Sequence, residues 1–357
     1  MKKTHELFLD RLLQDDEGKS NAWLQRRHFM QKSYLIIVLF VLILTAACGG
    51  PRIKLFSDAG EPLKEFTLEG RGSDKILLIP MYGIITDTPK ERFLAQSQSM
   101  VERVMSQLNK AEKDNHIKAV LFEINSPGGT ITASDLLYHE IFSFKERTGK
   151  KIAVSMMDLA TSGAYYVSLP ADLVTAHPTT ITGSVGVLFL QPKIKGFMEK
   201  IGISVDVKKF GKNKDMGTPF RDSSEEEQRF MQKSVDDMGE RFIRLVQKHR
   251  KPSQQAMAEI STARVFLADD ALRLGLVDKV CYLSDAIRES KKLAGLAADA
   301  RVVVYRRTEF SDDNYYNASS AASQGLNIPV VNIELSEIVG LKTGFYYLWP
   351  GAISVDR

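Results

Sequence analysis

Cysteine is nearly absent from this 357-residue chain: Cys48 and Cys281 are too few for a disulfide framework or for thiolates that could enclose zinc. Histidine is sparse and dispersed, and His5, His28, His116, His139, His177 and His249 never fall at the i, i+4 spacing of a helical metal site. Long blocks of Lys and Arg are also missing. With a formal charge of +4, nothing is set up to neutralise several phosphates, so nucleic acid is set aside as a partner. Internal repeats are lacking as well. What is present is an apolar content of 44%, enough to bury a sizeable core that stands on packing alone.

One apolar run is long. Between Lys32 and Arg52 the chain carries no charge, and Leu35 to Leu44 is apolar on every face, while about 20 such residues cross a bilayer. It has no polar stripe to turn toward water, and Arg26, Arg27 and Lys32 guard one end. Positive charge is retained on the cytoplasmic side. Residues 1–32 are therefore expected inside, 33–51 as a transmembrane anchor, and the remainder of the chain outside. Asp10, Asp15, Asp16 and Glu17 make the preceding segment long and acidic for a cleaved signal, which favours an uncleaved anchor. Leu44 to Cys48 approximates a lipoprotein site, with Thr45 where Leu is usual, and lipidation of Cys48 stays open.

Residues 52–74 read as a linker, 75–308 as the folded domain and 309–357 as a tail that is first polar and then aromatic. Within the domain, β-type runs at Lys75–Ile79, Lys118–Ile124 and Ile152–Met156 alternate with helical patterns over 96–113 and 133–147. That alternation predicts an α/β fold with parallel strands. Further helices are expected from Ser223 to Arg250, behind an acidic first turn, and from Leu283 to Leu296, with a last strand over Arg301–Tyr305.

Three stretches carry chemistry. Asn125-Ser-Pro-Gly-Gly-Thr130 follows a strand and precedes a helix, and its glycines free backbone N–H groups for an oxyanion; taken alone, it reads first as an ordinary turn. Ser162, in Asp158-Leu-Ala-Thr-Ser-Gly-Ala-Tyr-Tyr166, lies at the end of a strand among small residues, either as a nucleophile or as a helix cap. No histidine has an evident place beside it, so a lysine is the remaining kind of base. Lys214 and its competitor Lys212 come after the β-type run at Val205 in a turn-forming context; either would have to be desolvated to act. In Thr180-Ile-Thr-Gly-Ser-Val-Gly186, Ser184 could hydrogen-bond an amine or satisfy the backbone.

Taken in order, Asn125–Gly129, Ala160–Tyr166, Thr182–Gly186 and Gly211–Asp215 resemble the signal peptide peptidase A family, also called protease IV, over roughly residues 75–296. The resemblance implies a ClpP/crotonase-like spiral of ββα units and a Ser–Lys dyad with no cofactor. Ser162 would be nucleophile, Lys214 base and Ser184 the hydroxyl orienting it, with an oxyanion hole from Gly128 or Gly129 and Gly163. It also implies a homo-oligomeric ring with sites shared between subunits, peptide substrates left from cleaved signal peptides, and a place in the bacterial inner membrane. Departures are Gly163-Ala164 where the family often has Gly-Gly, and Thr161 where a small apolar residue is usual. A crotonase-type acyl-CoA enzyme and an inactive ring-forming scaffold are the competing classes; export and the missing acidic base weigh against the first. Tyr165 and Tyr166 read equally as pocket lining and as packing.

Overall fold

The computed structural model describes residues 61–92, 95–310, 312–318 and 343–352; the anchor expected at 33–51 and Cys48 lie outside them. Among the described residues no helix is long and apolar enough to cross a membrane. The first element corrects the linker reading: within 52–74, β1 (Lys64–Glu69) is an edge strand. β2 (Lys75–Tyr82) comes next, then a short hairpin of β3 (Lys90–Arg92) and β4 (Ala95–Ser97), which takes over the start of the helix expected from residue 96. Helix α1 (Met100–Glu112) begins instead at a capping box, where Ser99 and Glu102 satisfy each other's backbone amides. Next come β5 (Ile117–Ser126), β6 (Gly128–Thr130), α2 (Ile131–Thr148), β7 (Lys151–Thr161), α3 (Gly163–Ser168), β8 (Leu173–Ala176), β9 (Ile181–Gly183) and β10 (Leu188–Leu190). After α4 (Lys195–Lys200), the long α5 (Glu225–Arg250) starts at a second capping box of Ser224 and Glu227. The chain then forms α6 (Gln254–Ile260), β11 (Val265–Leu267), α7 (Ala268–Arg273), β12 (Lys279–Val280), α8 (Leu283–Leu293), β13 (Arg301–Arg306) and β14 (Gly344–Leu348).

The main sheet runs β1-β13-β2-β5-β7-β8-β12, parallel throughout except for β1, which pairs antiparallel with β13. Both faces are covered, so the central strands are apolar on both sides rather than alternating. Leu77, Ile79 and Met81 of β2 pack with Val120 and Phe122 of β5 on one face, under α1, α2 and α5. Ile76 and Leu78 face the other layer with Leu121, Ala153 and Ile287. β7 is longer than its apolar run suggested: past Met156 it changes partner, and Leu159–Thr161 pair with β9 instead of β8. Asn125 supports that bend, its side chain accepting from the Leu159 amide at 3.2 Å and donating to Asp158 at 3.2 Å.

One buried group in the sheet is ionisable. Glu123 of β5 is 1% exposed, accepts a hydrogen bond from the Tyr82 hydroxyl, and leaves Oε2 without a partner among the described residues. Burial raises its pKa from 4.5 to about 7, against the smaller opposing effect of the Tyr82 hydrogen bond. A carboxyl held protonated in the folded state binds more protons there than when unfolded, so stability falls as pH rises from 4.5 to about 7 and stays reduced above. The loss expected across that window is about 3 kcal/mol. Urea unfolding midpoints at pH 5 and pH 8 should therefore differ in wild type and converge in Glu123→Gln; a Gln variant with an unchanged pH dependence would refute the assignment.

Candidate active site

Ser162 occupies the single residue between β7 and α3, with φ 53° and ψ −113°, a conformation that costs a non-glycine residue about 1–3 kcal/mol. The strain is enforced from both sides: its amide donates to the Gly183 carbonyl at 2.8 Å, and its carbonyl accepts from the Tyr166 amide at 2.9 Å. Its side chain makes no capping hydrogen bond, which removes the helix-cap reading. A serine hydroxyl kept off the backbone on a sharp strand-to-helix turn is arranged as nucleophiles are. α3 is six residues long and contributes little dipole, so any oxyanion must be met by individual amides.

Three glycines crowd together beside Ser162. A Cβ on Gly128 (φ 99°) would stand 2.8 Å from the Gly163 nitrogen, and one on Gly163 would stand 3.2 Å from the Gly129 nitrogen and 2.4 Å from Ser134 Oγ. Gly128 N–H donates to Ser126 Oγ at 3.1 Å. Gly129 has a packing reason as well, since its Cβ would fall 1.9 Å from the Ile85 carbonyl oxygen. Ser184, with φ 52°, comes directly after the Gly183 that holds Ser162, and its amide donates to Arg264 at 2.9 Å. The structure thus brings together Ser162, Ser184, Gly128, Gly129 and Gly163. Thr161 beside them has a buried hydroxyl with no partner among the described residues.

Lys214 is not among them. It lies exposed in the turn after residue 210, and no hydrogen bond joins its Nζ to Ser162 within the chain. Its neighbours are taken: Lys208 pairs with Asp206 at 2.6 Å, Lys209 with Asp215 at 2.6 Å, and Lys212 with Glu226. The β-type run ahead of it is no strand; Ile203, Val205 and Val207 are exposed and Phe210 is 100% exposed. Alternating apolar residues with no strand to pair them fail to register as sheet within one chain. The turn itself is anchored. Arg221 bonds Asp215 at 2.8 and 2.9 Å and Glu227 at 2.6 and 2.9 Å, tying it to the start of α5. Arg221, then Lys209, hold the Asp215 carboxyl well below the usual range, and Arg221 with the Ser224 amide brings Glu227 to about 2. Arg221→Met should loosen this turn and lower kcat about tenfold or more with KM nearly unchanged, because positioning is lost and binding is not. A matched rise in KM would show that Arg221 serves substrate binding instead.

Sequence reasoning missed the partner of the glycine strand. β14, from the aromatic tail, lies between β6 and β10, antiparallel to both, with Tyr347 opposite Gly129 and Phe345 opposite Phe189. The Tyr347 carbonyl oxygen sits 2.1 Å from where a Cβ on Gly128 would be and 3.0 Å from the same point on Gly163. The Trp349 amide continues the contact, donating to the Pro127 carbonyl at 3.0 Å. The only advance signal was the continuous aromatic and apolar run Gly344-Phe-Tyr-Tyr-Leu348. The two tyrosines after Ser162 divide their duties. Tyr165 packs, its hydroxyl bonding the Leu276 carbonyl at 2.9 Å, whereas Tyr166 stacks on Tyr347.

Comparison with known proteins bears on this site. The sequence model of peptidase family S49 matches residues 145–297, and that of Clp protease matches residues 90–182. A protein named as a protease in Methanocaldococcus jannaschii is 32% identical over 75% of this chain and 85% of its own length. This chain belongs to peptidase family S49. A protein named as signal peptide peptidase SppA in Enterococcus faecium is 33% identical over 71% of this chain and 73% of its own length. Protease 4 of Haemophilus influenzae is 30% identical over 68% of this chain, which spans only 38% of that longer protein. The S49 chain is accordingly a serine peptidase with a Clp-protease-like α/β fold.

Proposed function

We propose that this S49 peptidase is a membrane-anchored endopeptidase that takes extended peptides as an added strand along β6. Ser162 attacks the carbonyl and Lys214 of a neighbouring subunit accepts the serine proton. A bond forms between Ser162 Oγ and the peptide carbonyl carbon, the C–N bond breaks, and the proton passes from lysine to the departing amine. Water then hydrolyses the acyl-enzyme. With the Gly128 amide already bonded to Ser126 Oγ, the amides of Gly129 and Gly163 receive the developing oxyanion, and Ser184 orients the lysine. Its substrates are signal-peptide remnants and other peptides near the membrane, met on the outer side of a bacterial inner membrane by a domain tethered through residues 33–51.

The observation that carries this reading is β14 itself: a peptide segment seated antiparallel on β6, with a carbonyl against Gly128 and Gly163 beside the strained serine. Strand addition of this kind supplies affinity through the main chain. Two features support a lysine from outside the chain. Lys214 has no partner among the described residues where its neighbouring lysines do, and the exposed apolar row from Ile203 to Phe210 is the kind of surface that a second subunit covers.

β14 must leave before a substrate can enter. Tyr347 is fully buried, and truncating a buried aromatic ring typically costs about 3–5 kcal/mol, enough to unseat a five-residue strand. Tyr347→Ala in the detergent-solubilised full-length protein should therefore raise cleavage of an unfolded peptide by about tenfold or more, the added Ser162→Ala change abolishing it. Unchanged or lower cleavage in Tyr347→Ala would show that β14 belongs to the working fold and not to the substrate's place.

A further inference from the structure

The buried carboxyl of Glu123 stands close to the end of β5, and its connections run on to the glycine strand. By alternation along β5 it shares the face of Leu121, in the layer with Leu78 and Ile287. The hydroxyl it accepts from belongs to Tyr82, the last residue of β2. Residues 82–85 then form a strap behind β6. Gly83 N–H donates to the Asn125 carbonyl at 3.0 Å, Ile85 N–H to the Gly128 carbonyl at 2.8 Å, and Thr130 N–H to the Ile85 carbonyl at 3.0 Å. Ile85 is fully buried and bridges Gly129 in parallel, whereas β14 pairs with the same glycine on the other edge. In a parallel bridge the bonds on one edge use the flanking residues, so the N–H of Gly129 itself is directed to the edge away from the strap. The seat of Ile85 thus sets where that amide points.

No charged side chain among the described residues offsets Glu123; burial and the Tyr82 hydrogen bond are what act on it. On β2, Lys75 is turned to Glu65 and Asp114; on β7, Asp158 is turned to Asn125. His177 beyond β8 is held by Thr179, Asp285 and Lys291 of α8 pair with Arg288 and Glu69, and Arg306 of β13 pairs with Asp313. Once ionised, the carboxylate has one donor for two oxygens, and its charge is hydrated only where the strap lifts and admits water. We infer that Glu123 is a positioning residue for the proposed peptide hydrolysis: while protonated it lets residues 82–85 close on β6 and hold the Gly129 amide for the oxyanion, and its ionisation releases them. The inference rests on the peptidase reading. The closed strap binds the proton more tightly than an open one, so closure is fully favoured at acid pH and weakens as pH rises through about 7. Hydrolysis then carries two opposed pH effects: the lysine gains strength as a base with rising pH, and the oxyanion strand loses its backing.

The test compares kcat of full-length wild type and Glu123→Gln in detergent on one unfolded peptide from pH 6 to pH 9. Dividing variant by wild type cancels the lysine, which both proteins share. That ratio should rise by at least about tenfold over the range, with KM ratios constant within about twofold. A ratio flat in pH, or a change carried by KM alone, overturns the inference and leaves the peptidase reading standing. If wild type cuts no peptide, the peptidase reading fails, and hydrogen exchange of wild type decides the strap by itself; the same measurement serves if Glu123→Gln does not fold. After correction for intrinsic rates, segments 83–86 and 129–131 should lose protection by at least about tenfold from pH 6 to pH 8.5 relative to segment 76–79 of the core. Equal changes in all three segments would overturn it.

Discussion

Ser162→Ala and Lys214→Ala are each expected to lower peptide hydrolysis by at least about a thousandfold without altering assembly or the far-UV spectrum, whereas Lys212→Ala stays within about threefold of wild type. The serine side of this rests on its backbone. A residue held at φ 53° by hydrogen bonds on both sides, with a hydroxyl released from capping, contributes nothing to local stability that alanine would lose. Its removal should be silent in unfolding and complete in activity. The lysine side rests on competition for partners. Lys212 is committed to Glu226 at the start of α5, and its loss breaks only an exposed ion pair, a minor effect. Lys214 alone among the lysines at 208, 209, 212 and 214 lacks a partner among the described residues, and is free to enter a dry site where its amine can lose its proton. Full activity in Lys214→Ala, with loss in Lys212→Ala, would exchange the two assignments.

Gly128→Ala should cost at least about a hundredfold in kcat/KM, comparable to losing an oxyanion donor. Two effects act together. The φ of 99° is one that an alanine adopts only under strain, and the new methyl would stand 2.1 Å from the place of a bound strand's carbonyl and 2.8 Å from the Gly163 amide. Neither can be relieved by a side-chain rotation, because every obstructing atom is backbone. Gly129→Ala is the instructive contrast. Its methyl meets the Ile85 carbonyl at 1.9 Å, inside the domain, so its first consequence should be a lower Tm. Steady-state kinetics below each variant's Tm separates the pair: both variants lose Tm, but folded Gly128→Ala lacks activity whereas folded Gly129→Ala retains it. Gly128→Ala at wild-type activity would remove this glycine from the site.

Much of this architecture was open to reading from residue pattern, for physical reasons that also explain the gaps. Buried parallel strands leave continuous apolar runs, and β2, β5 and the first half of β7 fell where such runs stood. Helix starts are local chemistry, and Ser224 with Glu227 formed the cap that its acidic turn suggested. β1 was hidden because an edge strand with one exposed face and charged Lys64, Glu65 and Glu69 resembles a linker. The second half of β7 was hidden by Asp158, whose stabilising partner Asn125 is remote in sequence. At the site, small residues around Ser162 were visible, but its left-handed backbone was not, since a serine carries no mark of φ. Glu123 gave no signal, because a buried carboxylic acid and an exposed carboxylate are the same letter. The seat of β14 was the largest omission: an aromatic run shows that a strand wants a partner, and only three-dimensional pairing shows that the partner is the glycine strand beside Ser162.

The claim on which the account depends is that hydroxyl and amine meet across two subunits. Co-assembling inactive Ser162→Ala protein with inactive Lys214→Ala protein tests it directly, because a mixed particle pairs some intact serines with intact lysines. Peptide hydrolysis should return after subunit exchange, to a sizeable fraction of the wild-type rate, and should be absent from either variant alone. Mixed particles confirmed by mass spectrometry that remain inactive would contradict it.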